Sequence, residues 1–409
     1  MPVYSALVTE LGSAERNYLD TQHLQHAVSG GISAFASIRT DLDNCDEGRG
    51  YLTVSSRTLN SKAGQMLNLV KDTALAPRFD EIERIRELVS QMAMRRINGI
   101  ASNGHQFAMS AASARIRPAS AISDFQSGIP GVLRLKQLSD SLADPETCLQ
   151  LSDKLVDLHE RLRGSANQFL LIADKVFLDN VVSELEGLWQ SVPSNKQSDS
   201  VAFDFTLPAD CQATGSPVFV VTTQVNYCAS AYATIPENHE DSAALSVLAG
   251  VLRNNYLHAA IRERGGAYGG GAGHDAINGV FRFYSYRDPK IVETFAAFEQ
   301  AIDWALKTPI TDAMIEESVL GIMASIDSPG SPSGELKQAF HHQLFGRDAT
   351  HRMRHRQRFL QVRQLDLKRV TDRYLLRTPY RALVTSENRL KEIDNKFDIV
   401  QVANASLKR

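Results

Sequence analysis

The stretch of sequence that decides the fold is Arg262-Glu-Arg-Gly-Gly-Ala-Tyr268-Gly-Gly-Gly, followed closely by Phe281-Arg-Phe-Tyr-Ser-Tyr-Arg-Asp288-Pro. Gly265-Gly266 predicts the end of a helix, because glycine adopts the left-handed conformation of a helix C-terminus without a steric clash. The stretch therefore predicts a long helix, a glycine-rich turn, two strands and a further helix that ends near residue 306. The long helix is indicated by apolar residues at helical spacing, namely Leu245, Leu248, Leu252, Tyr256 and Ala259.

The same order of elements is predicted earlier in the chain: a helix over residues 18–28, a stop at Gly30-Gly31, strands over 32–40 and 51–57, and a helix ending near residue 75. Tyr51-Leu-Thr-Val-Ser-Ser-Arg57 aligns with Phe281-Arg-Phe-Tyr-Ser-Tyr-Arg287 at an offset of 287 − 57 = 230 residues. A repeat at this spacing is a duplicated domain, since solenoid units recur every ~20–50 residues. We therefore predict an α+β fold of two homologous domains, each a mostly antiparallel sheet with helices packed on one face.

The remaining elements complete two predicted domains, 1–190 and 201–409, which are joined by a linker over residues 191–200. The linker is polar, contains Pro193 and has no large apolar residue beyond Val192. Helical stripes of apolar residues predict helices over 80–97 and 144–163. Further strands are predicted over residues 169–173, 201–207, 218–225 and 380–385, and a helix is predicted to end near residue 189.

The two copies differ in the residues that flank the glycine turn. Three residues before the first glycine stand Ala27 in the first copy and Arg262 in the second. Three residues after it stand Ser33 and Tyr268. A purely structural role would be needed in both copies, so the difference favours a functional role for Arg262 and Tyr268. A guanidinium and a phenol beside a glycine-rich turn can hold a peptide carbonyl and stabilise a developing oxyanion.

The same residues allow two other interpretations. Arg262 can be a surface arginine favoured by the helix dipole, with Tyr268 packed on a strand. A nucleotide-binding loop is disfavoured, because the glycines follow a helix and no Gly-Lys-Ser/Thr comes after them. Glycines permit close backbone approach instead, and four of them are assigned to substrate binding: Gly265, Gly266, Gly269 and Gly270.

Four histidines in the C-terminal part of the chain are candidate metal ligands. His351 and His355 are four residues apart, so they can share a helix face, and His341-His342 precede them. Their neighbours are four arginines, which disfavour a dication, and no glutamate completes a zinc-binding helix. We therefore predict a solvated basic face here, with a self-contained metal-binding protein as the alternative.

Composition excludes several classes of protein. The net charge of −3 and the pI of 6.4 lack the basic excess that a nucleic-acid or anionic-membrane partner requires. The four cysteines have no Cys-x-x-Cys spacing and are interpreted as reduced thiols. No apolar run approaches the ~18 residues of a membrane span, and Met-Pro-Val-Tyr-Ser at the N-terminus has no signal-peptide pattern. A cytoplasmic location is predicted from these observations.

The block from Arg262 to Gly271 resembles the C-terminal half of the pitrilysin/insulinase zinc metallopeptidases, and within them the presequence-protease branch. The resemblance extends over nearly the whole chain, since Leu7-Val-Thr-Glu-Leu-Gly-Ser13 and Gly30-Gly-Ile-Ser-Ala-Phe35 are similar to the third of the family's four domains. It implies an ATP-independent endopeptidase whose two halves close around an unfolded peptide. It also implies that the family's substrate-binding arginine and tyrosine correspond to Arg262 and Tyr268.

The chain departs from the family where the zinc motif would lie. Counted back from Gly12-Ser13, the positions of the inverted zinc motif fall on Val3, Ala6 and Leu7, which cannot bind a metal or activate water. We therefore predict no metal and no peptidase activity for this chain by itself. The zinc is expected in an N-terminal half, either in the same polypeptide or in a separate subunit.

The resemblance carries further expectations. The chain begins at the family's first helix, so the leading strand of the first domain is expected to be missing, as in a fragment or a separately encoded half. An exposed inner face would favour a non-native homodimer. The alternative function is a non-catalytic structural or assembly subunit derived from the same family.

Overall fold

The structure is a computed structural model that describes residues 1–190, 192, 215–393 and 397–402. Two compact units make up the chain. The first comprises Met1–Ile38, Gly50–Arg95 and Arg134–Phe203, and the second comprises Arg39–Arg49, Arg96–Leu133 and Asp204–Arg409. The division predicted from the sequence repeat, 1–190 and 201–409, stays a prediction. The strand expected over 201–207 and the linker apart from residue 192 lie outside the described residues.

The part of the chain up to residue 190 is mainly helical. Its strands β1 (Ile32–Thr40) and β2 (Gly48–Ser56) pair in a two-stranded sheet. Its helices are α1 (Pro2–Leu7), α2 (Tyr18–Val28), α3 (Ala63–Leu75), α4 (Ile82–Gly99), α5 (Gly104–Ser113), α6 (Pro118–Ser127), α7 (Ile129–Ser141), α8 (Pro145–Arg163) and α9 (Lys175–Trp189).

Most elements predicted for this part are confirmed, including helix α8, which begins where Asp144 accepts a hydrogen bond from the backbone of Thr147. The strand predicted over residues 169–173 is wrong, because this segment has no regular secondary structure. Its Leu171 packs with α3 and α9 against Leu67 and Val181. The apolar run therefore reflects burial against helices, and no neighbouring strand pairs with its backbone.

The second unit contains a six-stranded mixed sheet with the order β5-β6-β4-β7-β3-β8. Strand β3 is parallel to β7 and β8, and the other neighbours are antiparallel. The predicted α+β fold class is confirmed. The strands are β3 (Pro217–Val220), β4 (Tyr227–Ala233), β5 (Gly269–Asp275), β6 (Val280–Tyr286), β7 (Tyr380–Thr385) and β8 (Asp398–Gln401).

The helices of this second half follow the predicted order. Helix α10 (Ser242–Leu252) continues as a π-helix over Arg253–Glu263. The large core lies between these helices and one face of the sheet, where Leu248 packs with Phe283 and Phe298. The other helices are α11 (Val292–Lys307), α12 (Asp312–Ile326), α13 (Pro332–Leu344), α14 (Ala349–Leu360) and α15 (Gln364–Val370).

Helix α5 covers the opposite face of the same sheet. Ala108 and Ala111 of this helix pack with Tyr227 and Ala229 of β4 in a second buried cluster. The prediction that helices pack on one face of the sheet is therefore wrong for this sheet, because α5 packs on the second face. Both faces of β4 are therefore buried, which explains why its side chains are mostly small.

Strand β4 was missed from the sequence. We predicted one strand over 218–225, whereas β3 ends at Val220 and β4 begins at Tyr227. The run Tyr227-Cys-Ala-Ser-Ala-Tyr-Ala has no β-branched residue and no alternation of apolar and polar side chains. A strand buried on both faces gives no such alternation.

The contact between α5 and β4 gives the first testable prediction. A Cβ atom at Gly104 would overlap the ring of Tyr227, so Gly104→Ala is expected to lower the free energy of unfolding by about 1–3 kcal/mol. Gly99→Ala is the matched control, because its Cβ would meet nothing closer than 4.0 Å. Denaturant unfolding of both variants checks this, and equal stability of the two would contradict the close packing.

Candidate functional site

The π-helix and the glycine turn place Arg262 and Tyr268. Arg262 lies in the last turn of the π-helix, and Tyr268 directly precedes β5. The helix ends with a bond from the Arg264 amide to the Ala259 carbonyl, 3.0 Å long and five residues back. Such π-helical turns are uncommon and occur frequently at functional sites.

The turn itself requires glycine. Gly266 has a φ of +83°, which an L-residue rarely adopts. A Cβ atom at Gly265 would overlap the carbonyl oxygen of Ile261. Both glycines therefore end the helix as predicted, and they bring the chain back so that the Tyr268 amide donates to the Arg287 carbonyl at 3.3 Å. Their assignment to substrate binding stays a prediction.

Arg262 and Tyr268 line the same open cleft, which lies within the second unit and has a volume of about 600 Å³. Both side chains are exposed, Tyr268 to 67%. The guanidinium carbon of Arg262 lies 6.0 Å from the centre of the Tyr268 ring, which meets the Tyr286 ring edge-on at 5.7 Å. The complete lining is His105, Arg253, Asn254, His258, Arg262, Tyr268, Gly269, Gly270, Tyr284 and Tyr286.

Six of these lining residues were not predicted. Arg253, Asn254 and His258 precede Arg262 on the same helix, so their helical spacing was a usable signal. Tyr284 and Tyr286 belong to the strand that was quoted with the motif. His105 comes from helix α5, and nothing in the sequence connects it with this region.

The lining of the cleft is cationic. Among the residues that the structure describes, its positive charge comes from two arginines, Arg253 and Arg262, and it contains no carboxylate. Within residues 215–393, neither Arg253 nor Arg262 takes part in an ion pair, whereas His258 lies 3.4 Å from the Glu263 carboxylate. Unpaired guanidinium groups beside exposed phenols suit ligands that carry carbonyl or carboxylate oxygens.

His105 is the partly buried member of the cleft. Its ring meets the Tyr286 ring edge-on at 4.7 Å, and burial lowers its pKa below the usual value for histidine. Its Nδ1 atom is buried and has no hydrogen-bond partner among the described residues. Burial therefore favours the neutral form of His105, whose ring forms an aromatic wall of the cleft.

No metal site was found in the described part of the chain. No three His, Cys, Asp or Glu side chains there come together so that they could hold a metal ion. The zinc-motif positions Val3, Ala6 and Leu7 lie on α1, where they offer no ligand atoms. The residues that the structure describes therefore do not form a site for a zinc ion. No helix among the described residues combines the length and apolar character that a membrane crossing requires.

The prediction of a solvated basic face on α14 is partly wrong. Arg352, Arg354 and Arg356 are exposed, but His351 is only 3% exposed. Its Nε2 atom lies 3.1 Å from the Glu237 carboxylate. The histidine side of α14 faces the protein interior. The number of arginines in this segment does not show which face of the helix is buried.

The fold is of the M16 peptidase type. The chain superposes on a peptidase M16 inactive domain from Pseudomonas fluorescens with a TM-score of 0.61, 14% identity, and coverage of 94% of this chain and 87% of that one. A protease from Helicobacter pylori gives a TM-score of 0.57, 15% identity and coverage of 94% and 88%. At these identities the likeness shows the fold alone.

Sequence comparison identifies the branch. The family model for the associated domain of the M16 peptidases of subfamily C matches residues 1–138, and the PreP C-terminal domain matches residues 216–378. The mitochondrial presequence protease of Xenopus tropicalis is 30% identical over 400 residues, and that of Saccharomyces cerevisiae is 28% identical over 386 residues. Each comparison covers 92% of this chain and 38% of the relative. The chain belongs to the presequence-protease branch of the pitrilysin/insulinase peptidases and corresponds to their C-terminal half.

The relatives correct the prediction of location. Those quoted above are named as mitochondrial proteins, so the predicted cytoplasmic location is wrong. That prediction rested in part on the first residues of the chain. Because the chain spans 38% of its relatives' length, those residues carry no information about a targeting segment.

Proposed function

We propose that this chain is the substrate-binding half, without zinc, of an ATP-independent peptide-degrading zinc metalloendopeptidase. Its substrates are unfolded peptides of the presequence kind, and its location is mitochondrial, as the names of its relatives suggest. The observation that carries the proposal is that Arg262 and Tyr268 share one exposed, cationic cleft. The first copy of the domain has Ala27 and Ser33 at the corresponding positions.

In this proposal Arg262 and Tyr268 act on the carbonyl group of the bond to be cleaved. The guanidinium and the phenol donate hydrogen bonds to the carbonyl oxygen, and these bonds strengthen as negative charge develops on that oxygen. The guanidinium has no ion pair to break before it binds, because Arg262 has no carboxylate partner in the described structure. The glycine-rich backbone at Gly269 and Gly270 leaves space for the peptide beside the two donors.

The partner in this proposal is an N-terminal half that bears the zinc motif, in the same polypeptide or as a separate subunit. Neither a nucleic acid nor a membrane is part of the proposal, since the lining groups suit a peptide backbone. A non-native homodimer of the isolated chain stays a prediction, and size-exclusion chromatography at several concentrations checks it.

Mixing the two halves tests the proposed function. The purified chain is expected to cleave no quenched fluorescent peptide, and addition of a zinc-bearing half from a presequence protease is expected to give cleavage that a chelator abolishes. Chelator-sensitive cleavage by the purified chain without that half would contradict the proposal. A stable complex of the two halves without any cleavage would favour the alternative of an assembly subunit.

A further inference from the structure

Strand β5 is an edge strand of the six-stranded sheet, paired with β6 on one side only. The cleft lies along this strand, because its lining combines Gly269 and Gly270 with residues of the π-helix and with tyrosines of β6. An edge strand presents a row of backbone donors and acceptors that can pair with another extended chain. Which residues of β5 direct their backbone groups to the free edge therefore decides how an extended chain can pair with it.

The hydrogen-bond register identifies the outward-facing residues. The Tyr268 amide donates to the carbonyl of Arg287, the residue opposite. In an antiparallel pair, bonded and non-bonded residue pairs alternate. Every second residue after Tyr268 therefore bonds to β6, and the residues between turn their N–H and C=O groups to the free edge. The outward residues are Gly269, Gly271 and Gly273, followed by Asp275 at the end of the strand.

These outward groups have no backbone partner in the described structure, where the turn and loop hydrogen bonds include none from Gly269, Gly271 or Gly273. A Cβ atom at Gly269 or at Gly273 would meet nothing within 4 Å. At Gly271 the stem of Arg253 lies 3.0 Å from such an atom. The face of the sheet beside these outward groups is therefore clear at Gly269 and Gly273, and the Arg253 stem covers it at Gly271.

The inward-facing residues of the same strand are held firmly. A Cβ atom at Gly270 would lie 2.8 Å from Ile261 and 3.0 Å from the Tyr284 carbonyl. Ala272 is buried in the main core, and the His274 ring contacts the hydroxyls of Thr234 and Ser246 at 3.2 and 3.0 Å. The free edge therefore belongs to a rigid strand, which is a requirement for binding a strand without a large loss of entropy.

We propose that β5 binds the peptide substrate as an added strand, through the backbone groups of Gly269, Gly271 and Gly273. This rests on the proposed function, because the occupant is the peptide that Arg262 and Tyr268 hold. Tyr268 leads directly into Gly269, so a peptide paired with β5 passes the phenol of Tyr268. Five residues of β5 pair with about 17 Å of extended peptide, at ~3.4 Å per residue.

Strand addition explains why an unfolded substrate would be required. Backbone pairing is independent of the side chains of the peptide, and a folded protein has few free extended segments. The occupant is a substrate segment, because β5 borders the cleft that Arg262 and Tyr268 line.

A pair of substitutions at one position tests the proposal in the full chain. Gly273→Pro removes only an outward N–H, since proline is tolerated in an edge strand whose N–H faces away from the sheet. Gly273→Ala is the matched control, because its Cβ enters open space and its N–H remains. Binding is measured by fluorescence anisotropy with a fluorescein-labelled decapeptide of alternating serine and leucine. Gly273→Pro is expected to weaken binding about 3- to 10-fold, as for one lost hydrogen bond, and Gly273→Ala less than about 2-fold.

Modified peptides give a second test that needs no variant of the chain. The same decapeptide is N-methylated at one amide at a time, and binding to the wild-type chain is measured. Strand addition predicts that alternate N-methyl groups weaken binding about 3- to 10-fold, while those between them have little effect, since only every second amide faces β5. Equal losses at all positions, or equal binding by Gly273→Pro and Gly273→Ala, would overturn the proposal. If the mixed halves still cleave peptides in that case, the proposed function stands and only strand addition is lost.

Discussion

Tyr268→Phe is expected to lower the turnover number of the complete peptidase about 100-fold, as the loss of one oxyanion donor does. The substitution removes one O–H donor and keeps the ring, so the edge-on contact with Tyr286 and the position beside Arg262 remain. The loss should appear in turnover and much less in KM, because the hydrogen bond strengthens only as charge develops on the carbonyl oxygen.

The control for this experiment is Tyr256→Phe. Tyr256 lies on the same π-helix, but its hydroxyl donates to the Gln300 side chain at 3.1 Å and does not line the cleft. We expect its turnover to stay within about 2-fold of wild type, since no donor to the substrate is lost. An unchanged turnover number for Tyr268→Phe, measured in the assembled halves with a quenched peptide, would remove Tyr268 from the mechanism.

Glu237→Gln is expected to lower the free energy of unfolding by about 3–5 kcal/mol. This is the effect of removing one partner of a buried ion pair while the other partner stays charged. Arg347 Nε lies 2.6 Å from one carboxylate oxygen of Glu237, and His351 Nε2 lies 3.1 Å from the other. The side chains of Arg347 and His351 are 3% and 4% exposed. Neutralising Glu237 would leave the buried guanidinium of Arg347 without a counter-charge. Because this side chain is 3% exposed, water cannot solvate the charge in place of the carboxylate.

An exposed ion pair is the matched control. Asp303 and Lys307 of α11 form a pair at 3.0 Å whose side chains are 60% and 76% exposed. Asp303→Asn should change stability by less than about 0.5 kcal/mol, because exposed pairs are screened by water. Denaturant unfolding at pH 7 compares the two variants, and equal losses would mean that burial does not decide the contribution of Glu237.

The same carboxylate predicts a dependence on pH. Burial alone would raise the pKa of Glu237, but the hydrogen bond from His351 and the charge of Arg347 outweigh it and lower the pKa to about 2. A carboxyl group with a lowered pKa in the folded state stabilises the fold above its unfolded pKa of about 4.5, and this stability is lost as the pH falls towards 2. Wild type should therefore lose stability more steeply than Glu237→Gln between pH 4.5 and pH 2, and parallel curves would contradict the assignment.

The local features of this protein were readable from its sequence. Gly265-Gly266 marked the end of the helix, and the structure has the required positive φ at Gly266. The strand predicted over residues 380–385 is β7 with the same bounds. The difference between the two copies singled out Arg262 and Tyr268, and both line one cleft. Each of these signals depends on residues close together in the chain or on a comparison of two aligned stretches.

The tertiary structure decided what depends on distant pairing. Strand β4 has no strand-like pattern and exists because β6, β7 and α5 surround it. His105 reaches the cleft because α5 packs on that face of the sheet. His351 is buried beside Glu237, which lies 114 residues away in the chain. The glycine content of β5 is visible in the sequence, but only the strand order shows that β5 is an edge strand. Sequence patterns report backbone preference and local burial, whereas the order of strands and the partners of buried charges are set by contacts between segments far apart in the chain.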